Sequence, residues 1–417
     1  MQDDLMSTHL ILEDLESNIA RYIGTRHAVL CSSGRMAIQV SLLALGIGHG
    51  DEVVVPDFAC QILPIAVFCA GSIPKLCDID KQTLALSSAC LPRVLSASTK
   101  AVIFAHLFGF PADPSPILEI TDKRRIIFID DAAQALGARI KGKKVGSFGD
   151  LGILNFNKSL NVDLGAAVTT NDEELASKVR LIREKEENRS FFALLGYRMM
   201  ELSGLKSRKL MKIVFQADKY LNKLQHSTFA RKHFIEDNDG WLIASSHALK
   251  LWRSNTLTTS ITNELMSYGR TYSHSRKMEK TEISSLQQEL RKTEKYLQIR
   301  KKVAETYDNL LESTILQRLV VPKDYAPSYL RYPVFFTDRT KLLKCLKELI
   351  RAGFNVDGLY KPLHMSPFFN PMNKNIDFKE SIFVSKHILP LPISLDMTQK
   401  KVERIASIIK CNCLNRL

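Results

Sequence analysis

The stretch DLGILNFNKSLNVDLGAAVTTND, Asp150–Asp172, decides how this chain is read. An apolar run, LGILNF, ends abruptly in a polar turn that carries one lysine, Lys158, and a second apolar run, GAAVTT, follows at once. Strand, sharp turn, strand is a way to hold a single amine at the edge of a sheet, partly desolvated. A lysine held there loses its proton more readily than one in water and attacks carbonyl carbon. Lysines in turns are as a rule solvated and inert. The surroundings have to decide.

Immediately upstream, RRIIFIDDAAQALGA (Arg124–Ala138) places Asp130 and Asp131 at the carboxyl end of a wholly apolar strand. Further back, HAVLCSSGRMAIQVSLLALGIG (His27–Gly48) reads as a short strand, a Ser-Ser-Gly turn and an apolar helix. A strand leading through small residues into a helix N-terminus binds phosphate with free backbone N–H groups and the helix dipole. A plain N-cap by Ser32 or Ser33 explains the same residues. GDEVVVPDF (Gly50–Phe58), PKLCDID (Pro74–Asp80) and KAVIFAHLFGFPAD (Lys100–Asp113) each supply a strand, with helices over Thr8–Ile23 and Ala59–Ala70. Near-continuous apolar strands alternating with helices predict an α/β fold, a mostly parallel sheet covered on both faces. Ligands of such sheets gather at the carboxyl ends of the strands. The Ser33–Gly34 turn, Asp131 and Lys158 all fall there.

Bulk properties exclude several classes. The 417 residues suffice for one large domain and a smaller one, and 45% hydrophobic content is ordinary for a globular protein. A net charge of +14 suits a polyanionic partner such as a nucleotide diphosphate, an anionic membrane surface or nucleic acid. None of the eight cysteines forms a CxxC pair, which predicts buried or incidental thiols in a reducing compartment and no metal site. The start, MQDDLMSTHL, is acidic and lacks a signal-peptide core, so a cytoplasmic location is expected. The glycine-rich GSFGDLG (Gly146–Gly152) precedes a strand instead of opening a helix, which argues against a nicotinamide dinucleotide site.

The ordered set SSG–helix, GDEVVVP, KLCDID, AHLFGFPAD, IDDAAQALGA, GSFGDLG, lysine turn and AAVTTND resembles the DegT/DnrJ/EryC1/StrS aminotransferases. The resemblance implies the PLP-dependent transferase fold type I. A mostly parallel seven-stranded sheet would fill a large domain over residues 1–275, followed by a small C-terminal α+β domain over 276–417. It implies pyridoxal 5′-phosphate as cofactor. Lys158 would bond to the cofactor and later shuttle the proton, and Asp131 would keep the pyridine nitrogen protonated. Gln134 would sit near the cofactor's phenolic oxygen. Ser33, Gly34, Arg35 and Asn155 would line the phosphate, and Cys60 falls where relatives often stack an aromatic ring. His106, in the strand-end HLFG motif, is either a substrate-site residue or a packed core histidine. Tyr360 and His364, in YKPLHMSPFF, match a substrate-facing loop; otherwise they are turn residues beside Pro362.

The chain also departs from the pattern. Leu160 stands where most members carry the lysine, although counting back from AAVTTND without gaps lands on Lys158. Asn155 replaces a serine, Arg35 a threonine and Ala166 a glycine, and the N-terminal arm that helps build the pocket in relatives is nearly absent. Over 189–234 the match lapses, and ten Lys/Arg stand against two acids amid aromatic and aliphatic residues. That composition suits either a membrane-surface helix or an amphipathic helical pair on its own core. No basic-aromatic strand motif or helix-turn-helix spacing accompanies the charge, so nucleic acid is not expected. Ile283–Leu311 is predicted as one long amphipathic helix leading into the small domain.

The reading that results is an aminotransferase moving an amino group from an amino acid onto a nucleotide-linked keto-sugar. The resemblance implies a homodimer, with Arg276 and Lys277 reaching the partner's site. Two alternatives stay open: a related sugar dehydratase, against which Lys158 argues because those relatives usually carry histidine at that position, and a non-catalytic, regulatory or membrane-associated relative.

Overall fold

Strands that are apolar nearly end to end are stable only when both faces of their sheet are covered. A computed structural model describes residues 2–186, 278–314, 316–366 and 376–413, together with Phe369, Asn373 and the dipeptides 235–236 and 242–243. The basic segment 189–234, together with Arg276 and Lys277, lies outside the described residues.

Seven strands form the large sheet: β1 (His27–Cys31), β2 (Glu52–Pro56), β3 (Ile73–Cys77), β4 (Thr99–Ala105), β5 (Ile127–Asp131), β8 (Leu151–Asn155) and β9 (Ala166–Thr170). Two short strands, β6 (Arg139–Ile140) and β7 (Lys143–Lys144), form a hairpin beside it. The order is β1-β9-β8-β5-β4-β2-β3, and only β9 runs against the others. The pleat sorts the side chains. Val53, Val55 and Ile103 enter one core cluster with Met36 and Val40 of helix α2 (Gly34–Ala44), while Val54, Val102 and Phe104 join Leu91 and Ile117 in another. Leu30, Leu154 and Ala167 pack under Leu15 and Ile19 of helix α1 (Gln2–Ile23).

Among the described residues the outer edge of β1 has no strand partner, and side chains close it. Glu16 Oε1 accepts the Leu30 N–H at 2.8 Å, and Arg183 Nη1 donates to the Leu30 carbonyl at 3.0 Å. The same Glu16 carboxylate pairs with Arg183 at 3.0 Å and Arg180 at 3.1 Å. An exposed ladder edge is thereby sealed.

The predicted single helix over Ile283–Leu311 is two helices, Lys280–Leu290 and Thr293–Leu311. The Lys292 N–H bonds the Glu289 carbonyl at 2.9 Å and Thr293 Oγ1 the Leu290 carbonyl at 2.7 Å, closing a turn between them. Apolar periodicity runs through the break because the two helices serve different cores. Ile283 and Leu286 pack with Leu15 and Ile19, whereas Val303 and Tyr307 pack on a small antiparallel sheet. That sheet orders Gln317–Arg318, Arg331–Phe335 and Ile388–Pro392, and helices Arg339–Arg351 and Gln399–Cys413 cover it. No helix among the described residues is long and apolar enough to cross a membrane.

Candidate active site

Because β1, β2, β4, β5 and β8 are parallel, the residues that follow them share one sheet edge: Ser33, Asp57, His106, Asp131 and Lys158. Register sharpens the placement, with Ala105 opposite Asp131 and Asp131 opposite Ile153.

Lys158 closes a tight 3-10 turn over Phe156–Lys158. The turn is held from several sides. The Phe156 N–H donates to Gly165 at 2.8 Å, and Leu160 N–H to Phe156 at 2.7 Å. Buried Arg300 donates to the Ser159 carbonyl at 2.5 Å, and the Asn161 N–H to Glu289 Oε2 at 3.2 Å. Burial, then the nearby Arg331 charge, draws the Arg300 guanidinium down to about 10. Leu160 is 5% exposed and packs with Leu15, Ile19 and Leu286. Its position belongs to the core. Lys158 is half-buried, and among the described residues its Nζ makes no hydrogen bond or ion pair.

Asp131 is the companion group. Its Oδ1 accepts the Ala133 N–H at 2.9 Å, and no other donor bonds its carboxylate among the described residues. Burial pushes its carboxyl above the usual carboxylate range, against the Ala133 N–H and the Lys158 ammonium, which hold it down. A buried carboxylate with one oxygen unspent is built to meet a cationic donor.

Gln134 is already engaged at both ends of its amide. Oε1 accepts the Phe108 N–H at 3.2 Å, and Nε2 donates to Tyr360 Oη at 3.0 Å. Tyr360 lies parallel to Phe108, ring centroids 6.0 Å apart, and edge-on to Phe58 at 5.6 Å. Four residues on, His364 is bound to Asp57. The YKPLH segment therefore crosses the carboxyl edge from β5 to β2, over the end of β4.

The Ser33–Gly34 turn keeps both readings given to it. Ser33 caps α2, its Oγ accepting the Met36 N–H at 3.3 Å. Gly34 faces Asn155, whose Nδ2 would stand 3.1 Å from an added Cβ, and among the described residues buried Asn155 Oδ1 has no hydrogen-bond partner. A helix N-terminus, a position without Cβ and the Asn155 Nδ2 donor beside it together fit a phosphate group. Arg35 is buried beside them, and half-buried Cys60 follows Phe58 after β2.

His106 is spent inside the fold. Its Nδ1 accepts the Ala112 N–H at 3.1 Å and Nε2 donates to Asp130 Oδ1 at 2.8 Å, with a side chain wholly buried. Asp130 Oδ2 takes the Gly146 and Phe148 N–H groups at 2.6 and 2.9 Å. This explains GSFGDLG: an added Cβ at Gly152 would lie 2.0 Å from the Gly146 carbonyl oxygen, so only glycine lets the loop wrap Asp130. Of the two readings of His106, the geometry supports the core histidine. Sequence reasoning missed Asp57 and Phe108. Asp57 carried the signal used for Asp131, an acid just past an apolar strand; Phe108 is marked only by its left-handed backbone, φ 56°.

The sequence pattern of the DegT/DnrJ/EryC1/StrS aminotransferase family matches residues 2–214 and 238–410. The chain belongs to this family. Aminotransferases of the family use pyridoxal 5′-phosphate. Among relatives, a GDP-perosamine synthase of Caulobacter vibrioides is 38% identical over 207 residues, covering 48% of this chain and 56% of that protein. A UDP-N-acetyl-3-dehydro-alpha-D-glucosamine 3-aminotransferase of Acidithiobacillus ferrooxidans is 41% identical over 172 residues, 40% of this chain and 47% of that one. The chain thus spans about half the length of the curated relatives it matches. DesV of S. venezuelae superposes with a TM-score of 0.70 at 21% identity, covering 98% of this chain and 90% of that one. PseC of Helicobacter pylori, an aminotransferase involved in the biosynthesis of pseudoaminic acid, gives 0.69 at 16%, covering 97% and 91%. These are PLP aminotransferases of fold type I, and the family fold is the one described above.

Proposed function

We propose that this chain is a PLP-dependent aminotransferase that moves an amino group from an amino acid to a keto group on a nucleotide-linked sugar. The observation that carries the reading is the pairing of Asp131, buried with one oxygen unspent, with the unpartnered Lys158 amine at the same sheet edge. The names of the family relatives support the substrate class.

Pyridoxal 5′-phosphate supplies an exchangeable aldehyde carbon and a ring that withdraws electrons from the substrate carbon. The residues present fit it: Asp131 for the pyridine nitrogen, Lys158 for the aldehyde carbon, and Ser33, Gly34, Arg35 and Asn155 for the phosphate. Cys60 would flank the ring. Asp131 would keep the ring nitrogen protonated. Lys158 Nζ would take the proton from the donor's α-carbon and hold it for return; with the sugar it would work in the opposite sense. Gln134 would offer its second Nε2 hydrogen to the phenolic oxygen while still holding Tyr360, and Tyr360 and His364 would face the sugar. A homodimer, a cytoplasmic location and contact of 189–234 with a membrane surface complete the proposal; the family resemblance and the basic composition support them.

Purified protein given pyridoxal phosphate should develop a visible absorbance band, and borohydride should fix the cofactor to Lys158. A Lys158→Ala protein that still forms the reducible adduct would overturn the assignment. A second reading, a regulatory role without catalysis, draws on a Geobacillus stearothermophilus relative, 36% identical over 204 residues, named a pleiotropic regulatory protein. Failure to bind the cofactor at all would favour it.

A further inference from the structure

Close to the carboxyl edge that carries Lys158 and Asp131, a further polar contact is made by Asp57. This residue follows β2 directly and is wholly buried. Its backbone is fixed first: the N–H donates to the Cys77 carbonyl at 2.8 Å, and the carbonyl accepts the Leu363 N–H at 2.9 Å. Its carboxylate is then held by two donors of one residue, His364, with the Ser381 side chain also within reach. Oδ1 takes the His364 backbone N–H at 2.7 Å, and Oδ2 faces His364 Nδ1 at 2.8 Å. The His364 ring lies flat on Phe378, centroids 4.4 Å apart and planes 5° apart.

A carboxylate oxygen only accepts, so Nδ1 carries the hydrogen and a neutral ring keeps its lone pair on Nε2. Backbone, ring plane and Nδ1 are each held, which leaves one tautomer and one orientation. Nε2 makes no hydrogen bond among the described residues, and the side chain retains 17% of its exposure. The ring sits on the segment that Gln134 ties down at Tyr360, so the edge where Lys158 lies and the His364 ring share one strap.

We propose that Asp57 is a positioning residue: it locks His364 in the Nδ1–H tautomer, leaving Nε2 as the hydrogen-bond acceptor for a hydroxyl of the sugar substrate. The role of Nε2 rests on the aminotransferase reading; the tautomer does not. Asp57 would act through His364 and touch no reacting atom.

Asp57→Asn tests the lock. Asparagine has one acceptor oxygen for two donors; with that oxygen kept on the His364 N–H, its amide nitrogen faces Nδ1 and donates. The ring then moves its hydrogen to Nε2 and presents a donor where the hydroxyl also donates. The full chain labelled with 15N-histidine, at a pH of about 9 where ordinary imidazoles are neutral, reads this directly by long-range proton–nitrogen correlation. The His364 signal is assigned by its loss in His364→Gln. The expected result is Nδ1–H in the wild type and Nε2–H in Asp57→Asn. A wild-type Nε2–H tautomer, or a variant that keeps Nδ1–H, overturns the lock, and the wild-type spectrum decides even if the variant does not fold. In single-turnover assays the sugar half-reaction of Asp57→Asn should slow by about 10- to 100-fold, as for a mismatched polar contact, with the amino-donor half-reaction within about twofold. Equal losses in both half-reactions overturn the role of Nε2. A wild type without transaminase activity overturns the functional reading, and the tautomer measurement still judges Asp57.

Discussion

Gln134 Nε2 donates to Tyr360 Oη across 226 residues of sequence, at 3.0 Å, while its Oε1 holds the Phe108 N–H. One amide thus ties the strap YKPLH to the turn that follows Asp131. Tyr360→Phe removes that bond and keeps the ring on Phe108. A neutral hydrogen bond contributes about 1 kcal/mol, so KM for the keto-sugar should rise about fivefold, with kcat within about twofold. Steady-state kinetics measure both. A KM unchanged by the substitution would show that the strap is held in place without Gln134.

The two positions competing for the lysine are separated by burial. Leu160 lies in the core with Leu286, and Lys158 at the mouth of the sheet edge. A double variant, Lys158→Ala with Leu160→Lys, should therefore not recover the borohydride-reducible adduct. It should also be less stable than Lys158→Ala alone by at least about 2–5 kcal/mol, the usual loss on removing a buried leucine. Absorbance spectra and urea unfolding of the two proteins settle the point. Recovery of the adduct would mean that residue 160 reaches the cofactor.

How far the sequence reveals this site depends on the kind of residue. Asp131 and the Ser33–Gly34 turn are legible because period and punctuation place them at strand ends, and a parallel sheet brings all such ends to one edge. Lys158 against Leu160 is ambiguous in sequence, since a turn of variable length hides which residue points into the core. His106 and His364 look alike on paper, each a histidine near a strand end or turn. Only pairing tells them apart: Ala112 and Asp130 consume both nitrogens of His106, whereas Asp57 engages one nitrogen of His364. The contacts Asp57–His364 and Gln134–Tyr360 join segments more than 220 residues apart, and no local pattern encodes them. The break after Leu290 was invisible for the opposite reason. Its apolar spacing is continuous, and the turn is made by backbone and Thr293 hydrogen bonds.

Glu289 predicts a pH dependence for the Lys158 loop. Burial alone would raise its carboxyl, but Lys292 Nζ at 2.6 Å, Tyr296 Oη at 2.8 Å and the Asn161 N–H at 3.2 Å outweigh burial and hold it below the ordinary glutamate value. The folded chain therefore binds this proton less readily than the unfolded one. The resulting stability is fully present above the unfolded value near about 4.3 and is lost as pH falls through the lower folded value. Glu289→Gln should cost about 1 kcal/mol at pH 7, and the gap from wild type should close in acid. Urea titrations at a series of pH values would show it; a gap that widens on acidification contradicts the assignment.

The Glu16 clasp gives the largest expected loss of stability. Glu16 and Arg183 side chains are 7% and 8% exposed, and between them they satisfy both backbone groups of Leu30 on the unpaired edge of β1. Glu16→Leu leaves the Leu30 N–H without its acceptor and takes from Arg183 Nη1 the carboxylate oxygen 3.0 Å away, in a site too buried for water to replace it. Breaking one partner of a buried pair costs about 3–5 kcal/mol. Arg180→Ala removes the more exposed arm of the same clasp, 38% exposed, and should cost under about 1 kcal/mol. The comparison isolates the cause, because both substitutions remove one charge from one cluster. Equal losses in denaturant unfolding would mean that the charge pair, and not the sealing of the strand edge, is what α1 contributes here.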